Sequence, residues 1–174
     1  MRTLLALLLF ASTGHAQDKA QATKIETFLA SKGKAFVRGY TVTGKIHTSS
    51  KMIIISAIEY WNLNSTNKVK GISVEFEGAA SPATLVDLDE VDELIRGINF
   101  LDKTEKSITA LENFEATYRT KGGLEITAFN IPNGTIRCMV STGRIGGAAI
   151  IEKWQLAALI TAFGSAKDIL EAVK

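Results

Sequence analysis

Residues 114–140, FEATYRTKGGLEITAFNIPNGTIRCMV, decide the fold. Two glycine-bearing turns, Lys121-Gly122-Gly123 and Pro132-Asn133-Gly134, separate three stretches rich in β-branched and aromatic residues, the pattern of an antiparallel meander. A two-residue Gly-Gly loop would set Arg119 opposite Ile126 and mix apolar with charged residues on both faces. A three-residue loop sets Tyr118 opposite Ile126, Ala116 opposite Ala128, Thr117 opposite Thr127 and Arg119 opposite Glu125. One face is then apolar and the other polar, with a favourable cross-strand charge pair. Such a loop needs a positive φ near its end, which glycine supplies.

The second turn obeys the same logic if Ala128 faces Cys138 and Ile126 faces Val140. Cys138, the single cysteine, then points into the core and acts as a small hydrophobe. On the opposite, outward face Phe129 lies beside Arg137 and Thr127 beside Met139. An aromatic, an arginine and a methionine together are typical of contact surfaces, so Phe129, Arg137 and Met139 are candidate binding residues. The competing expectation is that residues 18–32, or the other half of the chain, cover this face.

Working outward, strands are predicted near 113–120, 124–130, 135–142 and 147–151, followed by a helix from Lys153 to Val173. The first half reads alike. Strands are predicted over Phe36–Ile46, over Met52–Trp61, around Ile72, Val74 and Phe76, and over Thr84–Val86. Met52–Trp61 is apolar on both faces, as for a central strand covered on both sides. Trp61 at its end is read as core, with a ligand shelf as the alternative that makes it a fourth candidate binding residue. A helix follows, with Val91, Leu94, Ile95, Ile98 and Leu101 at helical spacing and Asp87 with Glu90 as a capping box. An offset of 65 carries Val91, Leu94, Ile95 and Ile98 onto Leu156, Leu159, Ile160 and Phe163. The predicted fold class is therefore α+β: two antiparallel strands-then-helix units forming a pseudo-repeat, halves 34–102 and 113–174, packed as one compact body. Each sheet is expected to be closed by its own helix. Residues 18–32 read as a short helix ahead of the first strand.

Met1-Arg2, the apolar run Leu4–Ala11 and the small residues of Gly14-His15-Ala16 follow the order of an export signal, with cleavage after Ala16. Residues 17–174 then form a single domain outside the cytoplasm, periplasmic or extracellular. Cleavage removes Arg2 and His15, so the net charge falls from +2 to +1 and His47 is the only histidine. No later run is apolar enough to span a membrane. Near-neutral charge argues against nucleic acid as a partner, since phosphate-backbone binding needs a concentrated basic surface.

Chemistry-bearing motifs fail one by one. Cysteine–histidine catalysis would need a buried thiol to meet His47, which sits in the polar hairpin KIHTSSK. One cysteine and one histidine supply too few zinc ligands, and no cofactor is expected. Thr142–Gly147 (TGRIGG) precedes a strand rather than a helix, so it reads as a turn and not a phosphate loop. Asp87–Glu93 (DLDEVDE) lacks the glycine and distal glutamate of a calcium loop; carboxylates at a helix start explain it.

Two resemblances complete the reading. Asp87–Phe100 together with Asn113–Gly122 resembles segments of exported bacterial proteins of unknown function, which implies no activity. The doubled strands-then-helix plan is similar in outline to the Whirly and PUR single-stranded nucleic-acid-binding proteins, and Lys32-Gly33-Lys34-Ala35 is similar to the lysine–glycine–lysine motif of the former. The expected function is a non-enzymatic exported binding protein for an unknown protein or small ligand. A carboxylate-dependent hydrolase and a single-stranded nucleic-acid-binding module are the alternatives.

Overall fold

The computed structural model describes residues 21–63, 66–79, 82–142 and 147–173. The predicted leader and its cleavage site lie outside these residues, as do part of the 78–82 loop and most of the Thr142–Gly147 turn. Two four-stranded antiparallel sheets each run into a helix. Sheet 1 holds β1 (Phe36–His47), β2 (Met52–Asn62), β3 (Lys68–Phe76) and β4 (Thr84–Asp87), followed by α2 (Val91–Asp102). Sheet 2 holds β5 (Glu115–Arg119), β6 (Glu125–Asn130), β7 (Ile136–Ser141) and β8 (Ala148–Glu152), followed by α3 (Leu156–Ala172). A short α1 (Lys24–Leu29) precedes β1. The strands of each sheet lie in sequence order.

Every cross-strand pair expected for the meander is present. Tyr118 faces Ile126, Arg119 faces Glu125, Ala128 faces Cys138 and Phe129 faces Arg137. Thr120 N–H donates to Leu124 O at 2.9 Å and Ile131 N–H to Thr135 O at 2.9 Å, so both loops have three residues. Gly123 and Gly134 take φ of 83° and 82°, as the turns require.

The 65-residue offset extends through the whole sheet-to-helix junction. Single 3-10 turns at Leu88–Glu90 and Lys153–Gln155 hold equivalent places, and α2 and α3 begin at Val91 and Leu156. Buried Leu94 and Ile98 correspond to buried Leu159 and Phe163.

The helices, however, exchange partners. α3 crosses β1, β2 and β3 of sheet 1, whereas α2 crosses β5 and β6 of sheet 2, and the two helices pack on each other. Gln155 Nε2 donates to His47 O at 2.8 Å and Lys70 Nζ to Leu170 O at 3.0 Å, tying both ends of α3 to sheet 1. Equivalent helix positions Gly97 and Ala162 meet the first strand of the opposite unit. A Cβ on Gly97 would enter the Tyr118 ring, and a Cβ on Gly44 would collide with Ala162. This corrects the expectation that each sheet is closed by its own helix. An amphipathic stripe specifies that a helix is buried, not which sheet buries it. One core results, joining Ile55 and Val74 to Leu94, Ile126, Cys138 and Phe163.

The capping box expected at Asp87 and Glu90 does not form. Asp87 Oδ2 instead accepts Lys24 N–H at 2.8 Å and Oδ1 accepts Ile25 N–H at 3.3 Å, so Asp87 receives the first N–H groups of α1. Glu90 Oε1 accepts Lys121 N–H at 2.7 Å from the β5–β6 turn. The equivalent box in the second unit, Glu152 with Gln155, does form. The rest of the acidic run is also spent on pairing: Asp89 with Lys24, Asp92 with Lys167 and Glu93 with Arg96.

Candidate functional site

The outward face of sheet 2 is built by strand alternation. Residues that pair across β5, β6, β7 and β8 form three rows: Glu115, Phe129, Arg137 and Glu152; Thr117, Thr127, Met139 and Ile150; Arg119, Glu125, Ser141 and Ala148. The outer rows hold the charges. Arg137 pairs with Glu152 at 3.4 Å and Arg119 with Glu125 at 2.7 Å. The middle row is neutral, and its threonine hydroxyls lie 2.8 Å apart. A shallow depression of about 430 Å³ opens over β5 and β6, with Phe129 and Met139 in its lining. Ile150 is 46% exposed, and among the described residues no helix packs on this face.

Two of the four candidates, Phe129 and Met139, therefore share one depression, and Arg137 stands next to Phe129 in the same row. Residues 21–32 do not cover them; Asp18 to Ala20 lie outside the described residues. α1 lies instead on the outer face of sheet 1, where Ile25 packs with Ile58 and Leu85. Beside it a second depression of about 440 Å³ surrounds Tyr60 and Arg38, the latter bonded to Glu75 at 3.0 Å.

Trp61 belongs to a different place. It lies on sheet 1 and is 41% exposed, with the Lys68 ammonium 5.8 Å from its ring centroid. This corrects its reading as core: the end of β2 runs past the cover that α3 provides. Glu115, Thr117, Arg119 and Glu125 complete the face that sequence reasoning had marked only in part. The same two-residue alternation that turns the half-buried Phe129 outward places them on this face.

Cys138 is fully buried, and burial pushes its thiol up to about 11, so it is protonated and unreactive at neutral pH. His47 is exposed at the end of β1, on the other sheet. The two residues form no catalytic pair. Among the described residues no group of three or more His, Cys, Asp or Glu is arranged to hold a metal ion. Among the same residues no helix is long and apolar enough to cross a membrane. Comparisons with protein-family models, curated proteins and solved structures return no significant match.

Proposed function

We propose that the chain is an exported, non-enzymatic binding or interaction protein whose contact surface is the outward face of sheet 2. The observation that carries this reading is the contrast between the two sheets: among the described residues, α1 covers part of one outer face and no helix packs on the other. A neutral row of Thr117, Thr127, Met139 and Ile150 between two charged rows suits an apolar group flanked by polar ones. The order of charge, apolar run and small residues before Gln17 supports export, and the resemblance to exported bacterial proteins agrees with it.

The test is capture from a native extracellular or periplasmic extract. A Phe129→Ala, Arg137→Ala, Met139→Ala triple variant keeps the fold and loses the captured partner. Undiminished capture by a folded triple variant rules out this face.

A hydrolase reading draws on Glu115 and Glu125, which both line the depression. Glu125 is already engaged by Arg119. Turnover of a sugar, ester or peptide substrate that Glu115→Gln abolishes would replace the binding reading. A single-stranded nucleic-acid role, implied by the Whirly and PUR outline, meets neutralised arginines. Arg38, Arg119 and Arg137 each face a glutamate within hydrogen-bond or ion-pair distance. Salt-sensitive retention on single strands is the result that would favour it.

A further inference from the structure

The edges of the two sheets are protected unequally. β4 has four residues, all buried. β5 and β8 have five residues each, and they carry Glu115, Arg119 and Glu152. β1 has twelve residues and ends sheet 1. From Phe36 to Val42 it holds no proline, no lysine and one charge, Arg38, before a bulge between Val42 and Gly44 interrupts the ladder. Every residue from Val37 to Val42 is exposed, and Tyr40 is 66% exposed. A long, smooth edge of this kind is a template for strand pairing, which natural proteins block with lysine, proline or short edges.

The hydrogen-bond phase of the edge follows from its first pair. Leu63 N–H donates to Ala35 O at 3.1 Å, so Ala35 and Leu63 form a hydrogen-bonded pair. By alternation, Val37, Gly39 and Thr41 bond to β2, while Phe36, Arg38, Tyr40 and Val42 turn their N–H and C=O outward.

We infer that β1 pairs antiparallel with β1 of a second copy of this chain, about a two-fold axis through Gly39. This register is self-complementary. Arg38 lies opposite Tyr40 of the second copy and Tyr40 opposite its Arg38, while Phe36 meets Val42 and Val37 meets Thr41. Arg38 already rests 5.2 Å from the Tyr40 ring centroid within one copy, so the pairing repeats a contact the two side chains favour. An axis through Arg38 would set like charges face to face. An axis through Tyr40 would set Arg38 against Val42. Gly39 leaves the crossing point free of side chains. The product is an eight-stranded sheet with an isologous interface. This inference is independent of the reading of sheet 2.

Cysteine scanning along β1 tests it. Gly39 copies form a non-hydrogen-bonded pair, with Cα atoms about 4.5 Å apart, inside disulfide range. A Cβ at Gly39 meets only Glu59 O, at 4.0 Å, so Gly39→Cys is tolerated. The purified variant crosslinks to a dimer under mild oxidation. Thr41→Cys, equally exposed, stays uncrosslinked because its copies lie roughly 13 Å apart. Tyr40→Pro removes an outward N–H without touching the β1–β2 ladder. In sedimentation it raises the dimer dissociation constant at least about tenfold, with circular dichroism unchanged. Equal crosslinking of both cysteine variants, a dimer untouched by Tyr40→Pro, or a wild-type chain that stays monomeric up to roughly 100 μM (about −5.5 kcal/mol) overturns the inference.

Discussion

The outer faces of the two sheets share a strand plan and meet opposite fates. On sheet 1, Ile25 of α1 is fully buried against Ile58 and Leu85, and Asp87 fixes the start of that helix. On sheet 2, the corresponding surface keeps Ile150 open beside Met139 and Phe129. The inner faces share one core, so the difference lies in the short α1 segment that precedes β1. A pseudo-repeat fixes the inner faces together, and one extra short segment is enough to distinguish the outer ones.

Substitutions can sharpen this contrast. The largest effect belongs to Ile25→Ala, which empties the closed face and costs about 2–4 kcal/mol in urea unfolding. Next comes alkaline pH, which probes the inner side of sheet 2. Burial raises the Cys138 pKa from 9.0 to about 11, so the folded chain holds a proton that the unfolded chain releases. Stability is therefore level below about pH 8, falls as pH rises through 9 and stops falling from this source above 11, a loss of up to about 2–3 kcal/mol. Cys138→Ala flattens that part of the profile. Burial also raises Tyr118, which adds a slope of the same sign above pH 10 that the variant retains.

Asp87→Ala releases the first turn of α1 and costs about 1–2 kcal/mol, with proteolysis at residues 21–30 rising in parallel. On the open face, Ile150→Ala costs no more than about 0.5 kcal/mol in the same unfolding assay. Smallest is Asp92→Asn, which breaks an exposed pair with Lys167 and leaves the unfolding midpoint almost unchanged, with no difference from wild type at high salt.

What the sequence disclosed was local. The registers of both β5–β7 hairpins followed from alternation and from the glycines at Gly123 and Gly134, signals that span fewer than thirty residues. The paired helices followed from periodicity. What it concealed was the identity of remote partners. Asp87 and Glu90 have the spacing of a capping box, yet their hydrogen bonds go to Ile25 and Lys121, 62 and 31 positions away. Likewise Gly97 and Gly44 mark close crossings, but only three dimensions reveal that each belongs to the other unit's helix–sheet contact. Phe129, Arg137 and Met139 were legible as one face because register alone places them. Trp61 was misjudged because burial depends on where α3 ends.

Methyl NMR with a soluble paramagnetic agent measures the contrast between the faces directly. The Ile150 and Met139 methyl signals should broaden strongly while those of Ile58 and Leu85 keep their intensity. If Ile150 and Met139 prove as shielded as Ile58, the second sheet is covered on both sides and the proposed contact surface does not exist.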